Sequence, residues 1–137
     1  MASFGFPPGR LRVSGSHGEP VVLALAGELD VGTVLVVVRS VAAALATSPA
    51  PQVIVLDLTE LRFLGAAGVR VLCTAADHAA AEGTTVRVVT GGNPVVERSL
   101  SLSGKDRVLD VYPDRVAAVR AGDRHDFLRL ATLLWET

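Results

Sequence analysis

The chain has 137 residues, half of them apolar and only 4% aromatic, with 13 basic against 14 acidic side chains. That length suits one domain able to bury a core without disulfides or metals, and a net charge of −1 with no basic stripe argues against recognition of nucleic-acid phosphates. Cys73 is the sole cysteine, which excludes an internal disulfide and a zinc-binding thiol pair and fits a reducing compartment.

Residues 1–9 are rich in Gly and Pro and are expected to form a loose arm. They lack the charged-then-apolar pattern of a secretion signal, and the apolar runs Val34–Val38 and Val41–Ala46 fall far short of the ~20 residues that cross a bilayer. A cytoplasmic location is expected. Leu11–Ser14 reads as an edge strand, and the turn cluster Gly15–Pro20 leads into a second strand, Val21–Ala26. Asp30 stands where its carboxylate would cap a helix over residues 31–46, with Leu35, Val38, Ala42 and Leu45 as the buried stripe. Thr47-Ser48-Pro49-Ala50-Pro51 ends that helix.

Val53–Leu58 is almost continuously apolar, broken only by Asp57, as in a strand covered on both faces. Thr59–Leu64 reads as a loop, followed by Gly65-Ala66-Ala67-Gly68 and a helix to Glu82 with Val69, Leu72, Cys73 and Ala76 inward. Gly83 suits the position just past that helix. Next come a strand Thr84–Val89, a turn with Asn93 as N-cap and Pro94 in the first helical turn, and a helix Val95–Leu102 ended by Gly104. A strand Val108–Tyr112 and a helix from Pro113-Asp114 to Arg120 follow, and residues 123–135 have the pattern of a further helix, with Phe127, Leu130, Leu134 and Trp135 on one side. This alternation predicts an α/β fold: a central mixed sheet of about five strands, largely parallel, with surrounding helices. The expected organisation is an arm over 1–9, one domain over 10–122 and a helical extension over 123–137.

Three stretches resemble the STAS domain family, the sulfate-transporter and anti-sigma-factor-antagonist domains. Val53 through Leu72, centred on Leu64-Gly65-Ala66-Ala67-Gly68, resembles the family's central signature; Gly27-Glu28-Leu29-Asp30 with Thr33, and Val111-Tyr112-Pro113-Asp114, resemble two further junctions in the right order. The resemblance implies a STAS-like fold and a protein-binding function. In antagonists of this family the central loop reads Asp-Ser-Ser-Gly or Asp-Ser-Thr-Gly, and a serine there is phosphorylated by the anti-sigma factor, itself an ATP-binding kinase. The unphosphorylated antagonist binds the kinase and frees the sigma factor. Here Gly65 stands at the Asp position and Ala66 and Ala67 at both hydroxyl positions. An alanine has no oxygen to phosphorylate, so the usual switch is chemically excluded and the loop mimics the uncharged, binding-competent state.

The resemblance therefore implies an anti-sigma factor antagonist without the usual phosphorylatable serine. Asp30, Thr33, Leu64, Gly65, Ala66, Ala67, Gly68 and Arg70 are the expected partner-binding residues, and no cofactor is implied. The alternative is an accessory subunit that grips the ATPase of a lipid-import ABC transporter, a role some free-standing STAS proteins serve. An enzyme would need clustered acid, base or nucleophile, and the sequence offers none. His17, His78 and His125 are scattered without metal spacing. The carboxylates Asp30, Asp57 and Asp110 lack the acidic pair and following lysine of a phosphoacceptor receiver, since Lys105, the sole lysine, precedes the last strand. Gly91-Gly92 lacks the spacing of a dinucleotide-binding loop.

Overall fold

A computed structural model describes residues 10–16 and 18–121. The expected arm over 1–9, His17 and the expected helix over 123–135 lie outside the described residues. The strands are β1 (Leu11–Gly15), β2 (Val21–Leu29), β3 (Val53–Leu64), β4 (Thr85–Val89) and β5 (Val111–Tyr112). The helices are α1 (Val34–Leu45), α2 (Ala66–Ala81), α3 (Pro94–Ser103) and α4, residues 115–121. One sheet carries the strands in the order β1-β2-β3-β4-β5, with β1 antiparallel to β2 and all other neighbours parallel. This is the mixed five-stranded sheet that the alternating pattern predicts.

One face of the sheet meets α1, α2 and α3. Leu23, Leu25, Ile54, Leu56, Leu58, Val86 and Val88 pack there against Val37, Val41, Val69, Leu72, Val96 and Leu100. The other face carries a smaller cluster of Val55, Val89 and Ala118, the last from α4. Asn93 accepts from the Val95 N–H to cap α3, Pro94 fills the first turn, and Gly104 ends the helix at φ +72°, as the sequence predicts.

Three expectations need correction. The helix expected over 31–46 begins only at Val34, and its buried residues are Val37, Val41 and Ala44; of the expected stripe Leu45 packs partly buried on the core, while Leu35, Val38 and Ala42 face outward. Val or Leu stands on every side of this helix, so spacing alone does not choose the inward face. The buried Thr33 hydroxyl anchors the turn before the helix, and packing against the core selects the face. Leu35 is left 54% and Val38 45% exposed.

Thr59–Leu64 is not a loop but the second half of β3, a strand of 12 residues. Its pairing with β2 shifts register twice, opposite Ala24/Ala26 and opposite Gly27/Glu28. Those bulges change the buried spacing to every third residue, Leu58, Leu61 and Leu64, which hides the two-residue period of a strand. The last strand is also shorter than expected, Val111–Tyr112, because Val108 and Leu109 close the 3-10 turn Lys105–Arg107 through N–H bonds to the Lys105 carbonyl.

Candidate functional site

The bulged half of β3 carries the chain beyond the end of β4 and delivers it to Gly65. The Gly65 N–H donates to the Leu29 carbonyl at 3.0 Å, docking the β3–α2 junction on the end of β2. The two stretches that resemble one family in sequence are thereby neighbours in space. At Gly68 a Cβ would lie 2.8 Å from the Leu29 carbonyl oxygen and 2.9 Å from the Leu64 side chain. Only glycine allows α2 to start this close to β2.

Of the eight residues expected to bind a partner, Ala66 and Arg70 are exposed and Asp30, Gly65 and Ala67 half-buried. Thr33, Leu64 and Gly68 are buried and shape the surface from beneath. Asp30 does not cap α1, because the helix starts four residues later. Its carboxylate accepts from Arg10 Nη2 at 3.0 Å to each oxygen and from the Gly32 N–H at 2.9 Å. The Thr33 hydroxyl donates to the Glu28 carbonyl at 2.8 Å and accepts from the Asp30 N–H at 3.0 Å. The turn before α1 is thus closed by its own polar groups.

Apolar side chains are also exposed on the elements that meet at the loop. The Phe63 ring is 49% exposed and lies against Gly65, where a Cβ would meet it at 3.0 Å. Val31 is 79% exposed, and Leu35 follows on α1. Sequence reasoning missed all three as surface residues. Phe63 carried a signal, being an exposed aromatic in an aromatic-poor chain. Leu35 stood in the expected buried stripe, and Val31 lay within the span of the expected helix.

Asn93 is the other residue missed. Beyond its cap on α3, its Nδ2 donates towards the carbonyls of Leu58, Thr59 and Leu61 at 3.3, 3.0 and 2.7 Å. Ser99 of α3 donates to the Leu64 carbonyl at 2.8 Å. These carbonyls lie past Asp57↔Val89, the last β3–β4 pair.

The strand-end carboxylates do not form a reactive cluster. Each is held by an arginine of its own chain: Asp30 by Arg10, Asp110 by Arg87 at 3.7 Å, and Asp57 by Arg115 at 2.5 Å. Asp57 is buried, and burial pushes its carboxyl up. The Thr59 hydroxyl, Arg115 and the Thr59 N–H outweigh that and bring it below the usual value. Burial raises the Cys73 thiol above its ordinary value. Burial, with a hydrogen bond to Asp110, pushes the Tyr112 phenol up to about 12. Among the described residues no group of three or more His, Cys, Asp or Glu is placed to hold a metal, and no helix is long and apolar enough to cross a membrane.

A family model described as "Mlab, STAS domain" matches residues 13–110. The chain belongs to the STAS domain family. Among curated proteins, this STAS chain is 30% identical over 105 residues to the anti-sigma-F factor antagonist RsfA of Mycobacterium tuberculosis, an alignment covering 77% of the chain and 81% of that protein. Among solved structures it resembles an anti-sigma factor antagonist from Mycobacterium paratuberculosis, with 25% identity and a TM-score of 0.69 over 83% of this chain and 97% of that one. Unphosphorylated SpoIIAA, also an anti-sigma factor antagonist, shares the fold with a TM-score of 0.63 at 20% identity, over 82% of this chain and 96% of that one.

Proposed function

We propose that this STAS domain is an anti-sigma factor antagonist that binds a kinase-type anti-sigma factor through the β3–α2 junction and cannot be released from it by phosphorylation there. Binding rather than catalysis is its work, and the cytoplasm its place. The observation that carries this reading is the pair Ala66 and Ala67, which opens α2 at the surface beside Asp30 with no hydroxyl at either position. The likeness to anti-sigma factor antagonists over most of the chain supports the partner class. The half-exposed Phe63 ring against Gly65 suits a protein partner, since aromatic side chains are enriched in contact surfaces.

The test is capture of partners from the native host by the wild-type chain and by Ala67→Glu, identified by mass spectrometry. Recovery of a kinase-type anti-sigma factor with wild type, and its loss with the glutamate, is the expected result. Recovery of transporter ATPase subunits instead would favour the accessory-subunit alternative. An anti-sigma factor captured equally by both forms would move the interface away from the loop.

A further inference from the structure

We infer that Asn93 is a positioning residue for the partner-binding loop, holding the bulged end of β3 at the angle that presents Gly65–Gly68. This rests on the proposed binding reading, which it deepens. A sheet strand satisfies its carbonyls through a neighbouring strand, but β4 stops pairing at Val89, opposite Asp57. From Leu58 onward β3 keeps only β2 as a strand partner, and it shifts register against β2 twice. A strand so bulged and with one side open is free to bend unless its polar groups are tied.

The β4–α3 turn supplies the ties. Asn93 reaches the carbonyls of Leu58, Thr59 and Leu61 through one amide nitrogen, whose two N–H groups are shared among the three. Gly91 lets the turn come close enough: a Cβ there would fall 2.1 Å from the Thr59 hydroxyl oxygen, and its φ of +62° also favours glycine. Ser99, one and a half turns further along α3, ties the Leu64 carbonyl just before the loop. The other end of the same amide, Oδ1, accepts from the Val95 N–H at 3.1 Å. Asn93 therefore fixes α3 with its oxygen and β3 with its nitrogen, so α3 and the loop share one reference point.

The two halves can be separated by Asn93→Asp. Aspartate keeps the capping oxygen but turns the donor into a carboxylate facing three carbonyls. In the isolated chain, the expected result is that backbone NMR signals of residues 58–68 shift and their amides exchange faster, while α3 keeps its helical signals. With the captured partner, affinity is expected to fall on the order of tenfold, measured well below the melting temperature. A merely structural role would lower the melting temperature without changing the affinity of the folded fraction. Ser99→Ala, which removes one tie and leaves the cap alone, is expected to shift the signals of residues 63–66 and weaken binding less. It serves also if Asn93→Asp does not fold.

Unchanged signals at 65–68 in a folded Asn93→Asp chain, or at 63–66 in Ser99→Ala should Asn93→Asp not fold, would overturn the inference whatever the partner. Shifted signals with unchanged affinity would overturn its functional half. If the wild-type chain binds no anti-sigma factor, the proposed function fails, while the signal shifts still decide whether Asn93 holds the loop.

Discussion

The helices α1 and α2 lie side by side on one face of the sheet and flank the same loop, yet they treat their outer surfaces oppositely. Outward from α2 stand Arg70, Thr74, Asp77 and His78, the ordinary solvent side of an amphipathic helix. Outward from α1 stand Leu35, Val38 and Ala42, with Arg39 the helix's only charged residue. Water alone does not favour such a face. The difference teaches that the outer side of α2 beyond its first turn is suited to water, whereas α1 keeps apolar side chains exposed on its outer side. Three such side chains fall well short of the roughly 800 Å² each partner contributes to a stable interface, so the stripe alone makes no interface.

The comparison can be broken by substitution. The largest effect is expected where the first turn of α2 presses on β2 and β3. Gly68→Val would drive a branched side chain into Leu29 and Leu64 and cost about 3 kcal/mol, read as a lowered midpoint in urea unfolding. Next, inward and outward positions of α1 should separate. Val37→Ala empties a core site that is 1% exposed and should cost about 2 kcal/mol. Leu35→Ala should leave stability within ~0.5 kcal/mol yet weaken partner capture. If Leu35→Ala proves as destabilising as Val37→Ala, the outward face of α1 is not free surface. On α2, Thr74→Ala is expected to change neither stability nor capture, and weakened capture there would enlarge the interface.

A smaller effect concerns pH. The Asp57 carboxyl titrates below its ordinary value of 3.8, so its contribution to stability is full above that value and is lost as pH falls through the lower folded-state value. Because Arg115 is 54% exposed, the ion pair itself adds little. Asp57→Asn should therefore lower stability by about 1 kcal/mol at neutral pH and flatten the acid limb of the stability curve below pH 3.8. An unchanged acid limb in the variant would assign that pH dependence to other carboxylates.

Much of this architecture is legible in the sequence, because local chemistry and tertiary packing agree there. Asn93 with Pro94, Gly83, Gly104 and the apolar run Val53–Leu58 each announce their element. What the sequence hides has two physical causes. In α1, valines on all sides leave the inward face undetermined by spacing, so only packing on the sheet and α2 decides it. In β3, two bulges replace alternation by a three-residue spacing, so Thr59–Leu64 looks irregular while remaining paired. The loop at the centre of the site was visible as a pattern of small residues. Its support from Asn93 was visible only in its nearer half, the helix cap, because hydrogen bonds to residues 58–61 cross more than thirty positions of chain.

The alanines at 66 and 67 carry a consequence for how a cell would use such a binder. A protein that can be chemically reset acts many times and answers within the lifetime of the modification. One without a reset is governed by counting: each copy neutralises one partner for as long as the pair holds. Its response is then a titration, silent until its copies outnumber competing claims on the partner and steep beyond that point, with the threshold set by synthesis and breakdown of the chain.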